Sequence, residues 1–143
     1  MDDSTNIGRV FEQRFYDRLK TLDGYDSIYE ERDLRKMFGW DCVAVDFLVV
    51  KGDLAIAIQT KYKKTRRRED KFIGNFINSI DSVLKYANKD LLAGFWVSRI
   101  KPFDDNIEYM SNRNIHCVSN FDNMDYLIDD ATKKIKQKLL ECQ

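Results

Sequence analysis

The chain is poor in the residues that mark disorder, with one proline, six glycines and no low-complexity stretch in 143 residues, beside 13% aromatics. Its three cysteines, Cys42, Cys117 and Cys142, are odd in number, far apart and without a CxxC pair. That pattern indicates neither a disulfide framework nor a zinc ribbon and fits a reducing compartment. Charge of one sign is lacking too: 24 Lys plus Arg against 24 Asp plus Glu cancel. A basic excess, the simplest argument for nucleic-acid binding, is therefore absent, and any such affinity must come from local charge. No apolar run approaches the roughly 20 residues needed to cross a bilayer. The opening Met-Asp-Asp-Ser-Thr lacks the basic and then apolar pattern of a secretion signal. The expectation is a single intracellular domain spanning 1–143, cytoplasmic or nucleoid-associated, with no membrane partner. A chain this long buries roughly two thirds of its unfolded surface, enough for a core without staples.

Hydrophobic periodicity supplies the elements. Ile7, Val10, Phe11, Phe15, Leu19 and Leu22 recur at helical spacing, which predicts an amphipathic helix over 7–22 closed by Asp23-Gly24. The segment 27–34 reads as a charged strand leading into a turn at 37–41 around Gly39. Residues 42–50 and 54–62, rich in Val, Ile and Ala, flank Gly52-Asp53, a pair suited to a two-residue type II′ hairpin turn. Phe72, Ile73, Phe76, Ile77, Ile80, Val83, Leu84 and Ala87 mark a long helix. An apolar strand at 91–98, a short helix at 104–114, a strand at 115–119 and a helix through Met124, Leu127, Ile128, Ala131, Ile135 and Leu139 complete the chain. An antiparallel hairpin joined to helical crossovers predicts an α/β domain with one central mixed sheet flanked by helices.

With Gly52 and Asp53 at the turn, residue i of the first hairpin strand faces residue 105 minus i of the second, which sets Asp46 opposite Gln59. Side chains alternate with period two, so Lys61 joins that face, and the three polar groups are expected to converge. Ala44, Ala55 and Ala57 surround them and leave room for a ligand, with Leu48 and Val50 at one end. The opposite face carries Val43, Val45, Phe47, Val49, Ile56 and Ile58, an apolar surface fit for packing on a helix. A carboxylate beside an amide oxygen can hold a hard cation such as Mg²⁺, which keeps several waters. A neighbouring lysine can orient a water or stabilise charge on a phosphodiester oxygen. Positions 61–68 hold six basic residues and no acidic one: Lys61, Lys63, Lys64, Arg66, Arg67 and Arg68. At the mouth of such a site this block would contact phosphates, and Tyr62 could stack on a base.

These residues together resemble the PD-(D/E)XK nuclease superfamily, in which a helix glutamate precedes an aspartate, a hairpin turn and a second-strand acidic residue followed two later by lysine. The corresponding residues are Glu12, Asp46, Gln59 and Lys61. The Gln59-Thr60-Lys61 form, with Gly8-Arg9-Val10-Phe11-Glu12 upstream, is most similar to Mrr-type restriction endonucleases. Archaeal Holliday-junction resolvases share the layout. The resemblance implies a restriction-endonuclease-like fold and Mg²⁺-dependent cleavage of DNA, with Mn²⁺ as a substitute ion. It makes Asp46 the principal metal ligand and Lys61 catalytic, puts Gln59 in place of the usual acidic ligand, and assigns Glu12 an assisting role through water. In this scheme the backbone carbonyl of Thr60 completes the metal shell. Cutting both strands implies a homodimer. Val45 stands where the family name carries proline, and neutral Gln59 leaves the site one negative charge short. A nucleic-acid-binding module without chemistry is the alternative. His116, the cysteines, Trp40 and Trp96 read as packing residues, and Lys133, Lys134, Lys136 and Lys138 as a solvated helix face.

Overall fold

The computed structural model describes residues 3–64 and 68–142. Helix α1 (Asp3–Leu19) leads to strand β1 (Ser27–Glu30), helix α2 (Glu31–Phe38) and a 3₁₀ turn (Trp40–Cys42). Strands β2 (Phe47–Lys51) and β3 (Leu54–Lys61) form the hairpin. Helix α3 (Asp70–Ala87), strand β4 (Asp90–Ser98), helix α4 (Asp104–Ser111), strand β5 (Ile115–Ser119) and helix α5 (Met124–Leu140) follow. The five strands lie in sequence order in one sheet. The pairs β1–β2 and β2–β3 are antiparallel, whereas β3–β4 and β4–β5 are parallel. The expected mixed sheet is therefore present, flanked by helices. Among the described residues no helix is long and apolar enough to cross a membrane.

Two apolar layers hold the helices to the sheet. On one side Phe11, Phe15 and Leu19 of α1, with Leu127, Ile128 and Ile135 of α5, meet Phe47, Val49, Ile56 and Ile58. On the other, Leu34 of α2, Ile73, Phe76, Ile80 and Val83 of α3 and Met110 of α4 meet Leu48, Ala55, Ala57 and Trp96. Each such large side chain contributes about 1.5–3 kcal/mol by leaving water. Ala55 and Ala57 are buried in this second layer. Their small size admits α3 and the Trp96 ring close to the sheet, so they serve packing where a ligand space was expected.

The hairpin turn follows expectation. Gly52 has φ +59° while Asp53 is not in the left-handed region, the signature that separates a II′ turn from a I′ turn. Lys51 pairs with Leu54 and Phe47 with Ile58, the 105 minus i register. Two elements differ from the sequence reading. The charged segment expected as one strand stops at Glu30 and becomes α2, started by a hydrogen bond from the Glu30 N–H to the Asp33 carboxylate (3.0 Å) and braced by Arg35 on Glu31 (3.2 Å). Only Leu34 of that helix is fully buried, so its apolar stripe is too thin to show as a period. Residues 42–46 are not strand: Cys42 ends the 3₁₀ turn, and Val45 joins the α3-side layer, opposite to the face expected for it.

Candidate active site

Asp46 sits where the first hairpin strand begins. Its N–H donates to the Ile58 carbonyl (2.9 Å), although Ile58 is the residue paired with Phe47. Asp46 and Phe47 thus both face Ile58, two residues against one, as in a β-bulge. The extra residue shifts the alternation by one, which explains why Val45 crosses to the α3 side. It also overturns the expected pairing of Asp46 with Gln59. The Asp46 carboxylate turns instead to Thr60, whose N–H and Oγ1 both donate to Oδ2 at 2.8 Å. The Lys61 carbonyl accepts from the Arg99 N–H on the β4 side (3.0 Å). Backbone groups of successive strand residues point to opposite sides, so the Thr60 carbonyl points toward Asp46.

The bulge brings Asp46 to the α1 side. Asp46 and Glu12 line one cleft of about 320 Å³ together with Glu30, Glu31, Arg9 and Arg32. Glu12 reaches it from α1, one residue after Phe11, which is fully buried and fixes the helix on the sheet. Burial raises the Asp46 carboxyl to about 7, the charge of Glu12 adds to this, and the Thr60 hydrogen bonds and Lys61 act against it. Glu12 is likewise raised, first by burial and then by Glu31 and Glu30, with Lys61 opposing. The electrostatic unit is therefore Glu12, Asp46 and Lys61, with Glu30 and Glu31 as further negative neighbours that the sequence reading did not single out. Both belong to the β1–α2 junction, where the sequence carries no helical period.

Gln59 and Lys61 lie on the other side of β3, in a cleft of about 460 Å³ between the 3₁₀ turn and α3. The single face expected to gather Asp46, Gln59 and Lys61 is thus divided between two clefts at one end of the hairpin. Gln59 is 7% exposed, and its Oε1 is buried with no hydrogen-bond partner among the described residues. A buried carbonyl oxygen left so is costly. Among the described residues no three His, Cys, Asp or Glu side chains form a group that could hold a metal ion. Gln59 therefore stands apart from the oxygens on the α1 side of the sheet, which are the Asp46 and Glu12 carboxylates with the Thr60 carbonyl.

The basic block divides. The Lys61 and Lys63 ammonium groups lie 4.3 and 5.1 Å from the centre of the Phe72 ring, and Lys64 is exposed. Arg66 and Arg67 lie outside the described residues. Arg68 is committed elsewhere: its guanidinium holds Asp70 at 3.0 Å and Asp105 at 2.6 Å and covers the Phe103 ring. These bonds raise the Arg68 pKa and lower those of both carboxyls. Arg68 therefore links α3 and α4 through exposed ion pairs, a commitment to which its reading as a phosphate contact made no reference. Tyr62 is corrected as a base platform, since it is 9% exposed with its ring stacked on Phe11 at 4.8 Å. Trp40, read as packing, is instead 74% exposed at the rim of the Gln59–Lys61 cleft. Comparison with protein-family models, with curated proteins and with solved structures finds no match to this chain.

Proposed function

We propose that the chain is a metal-dependent endonuclease that hydrolyses DNA phosphodiester bonds, built on a restriction-endonuclease-like fold of the PD-(D/E)XK type. The observation that carries this reading is the joint environment of Asp46 and Glu12, two carboxylates of one cleft whose pKa values are both raised first by burial, with Glu12 adding to the rise at Asp46, Glu31 and Glu30 adding to the rise at Glu12, and Lys61 opposing both. Such a pair gains most from a divalent cation, and perturbed carboxyls beside a lysine in a cleft are a common feature of catalytic sites. The central hairpin and the mixed sheet that carries it support the fold assignment.

Asp46 and Glu12, with the Thr60 carbonyl, would hold Mg²⁺ or Mn²⁺, and Gln59, in the cleft on the other side of β3, lies outside that set. When bound, the ion supplies Lewis-acid polarisation of a phosphoryl oxygen and a more acidic water. The chain's own residues do the rest. Thr60 anchors Asp46 through two hydrogen bonds and so keeps its other oxygen turned to the cleft. Lys61 places a point charge where negative charge develops on the phosphate. Lys63 and Lys64 contact neighbouring phosphates. Two such sites in a homodimer would serve a duplex or a junction.

The test is incubation of supercoiled plasmid, a synthetic four-way junction and single strands with Mg²⁺, Mn²⁺ or EDTA. Metal-dependent cleavage is expected, reduced about 10²-fold or more in Asp46→Asn and in Lys61→Ala, the scale on which loss of one charge-stabilising group is felt. Cleavage at the wild-type rate in both variants overturns the assignment. Salt-sensitive binding without turnover would favour a binding module, the outcome that the neutral Gln59 would explain.

A further inference from the structure

Trp40 and Trp96 are the only tryptophans of the chain, and they differ sharply: Trp96 is 1% exposed and Trp40 74%. An indole left in water is notable only if something holds it there. Helix α2 ends at Gly39, whose φ of +93° is a conformation that side-chain-bearing residues rarely adopt. The chain then turns through 3₁₀ geometry, and fully buried Cys42 anchors the turn from within. The Arg35 guanidinium, 5.0 Å from the indole centre, braces the ring. Trp40 is thus presented outward by a fixed backbone.

It stands at the rim of the cleft that Gln59 and Lys61 line. Across this cleft is Phe72 of α3, partly exposed, with the Lys61 and Lys63 ammonium groups against its ring. Asn75 and Asn78 complete the α3 side; both are exposed, and each amide offers donors and an acceptor. The volume of about 460 Å³ falls within the roughly 300–1,000 Å³ of small-ligand sites. Aromatic walls, amide edges and a cationic end match a nucleotide part by part: base face, base edge and phosphate. A base inside a duplex has both faces covered by its neighbours, so only an unpaired base can offer one to Trp40.

We propose that this cleft receives an unpaired nucleobase stacked on Trp40, so that the nucleic acid taken by the adjoining site is single-stranded or locally unpaired. The inference rests on the nucleic-acid reading above and narrows it to a substrate class. Because Trp96 is buried, quenchable emission belongs to Trp40. Titration of the full chain in EDTA with a short oligodeoxythymidylate is expected to quench that emission to saturation, with a blunt duplex of equal length at least about fivefold weaker. A fluorescein-labelled strand followed by anisotropy is expected to bind Trp40→Ala about 5- to 100-fold less tightly, the effect of losing one base stack. Trp40→Phe recovers part of it.

Equal quenching by strand and duplex, anisotropy binding without quenching, or unchanged affinity of Trp40→Ala each overturns the proposal. So does a blue shift that grows with protein concentration alone, which would mean that a second copy covers the ring. EDTA keeps the two readings apart. Quenching without metal-dependent cleavage leaves this inference standing and removes the nuclease. Cleavage of duplex with Trp40 silent does the reverse.

Discussion

At Asp46 the folded chain keeps a proton that the unfolded chain would release, since its carboxyl is raised from 3.8 to about 7. Between about pH 4 and pH 7 the folded state therefore binds more protons, and stability falls as pH rises through that window. Asp46→Asn retains an acceptor for the Thr60 donors and removes the charge. In metal-free buffer above pH 7 the variant is expected to melt higher than the wild type by roughly 2–8 °C, the shift that about 1 kcal/mol produces. Near pH 4 the two should coincide, so melting curves at both ends of the window check the sign. The same proton competes with a cation, and Mg²⁺ affinity should drop about tenfold per unit below pH 7. The residue types of this site were legible in the sequence, because Glu12, Asp46, Gln59 and Lys61 stand at informative spacings. Their distribution between two clefts was not. One inserted residue at a bulge leaves no mark on composition or periodicity, yet it redirects every side chain before it.

Among the elements, α3 shows how a charge run can hold two kinds of residue. Arg68 ties the helix start to Asp70 and to Asp105 of α4, whereas Lys64 is exposed. Arg68→Ala is expected to lower the melting temperature and leave the salt dependence of strand binding unchanged. Lys64→Ala is expected to lower that slope by about 0.7, one single-strand phosphate contact, with melting unaffected. Binding isotherms at several salt concentrations separate the two. Helix α3 was legible because its apolar residues recur over 18 positions. Helix α2 was hidden because among its eight residues Leu34 alone is fully buried, and its cap bond from Glu30 to Asp33 and its Glu31–Arg35 pair look in the sequence like mere charge.

Across the whole molecule, the alternation of apolar strands with amphipathic helices made the layered mixed sheet legible, because burial on both faces of a sheet demands it. Fastening was the part left unseen. The Gly52 N–H is held by Asp26 (2.6 Å) and the Gly52 carbonyl by Lys89 (2.8 Å). The Asp53 carbonyl takes the Asp90 N–H (2.9 Å), and Lys51 reaches the Leu139 carbonyl at the end of α5 (2.7 Å). The hairpin is therefore a lever clamped at its turn, and its opening fluctuations belong to the far end, where a carboxylate substitutes for a ladder partner. Amide exchange should record this as a gradient, slow at Ile56 and faster at Thr60. Because the Thr60 N–H leans on an acceptor that weakens when protonated, its protection relative to Ile56 should decline as pH falls through 7. A single backbone amide would then read the charge of the site from within, with no substrate present.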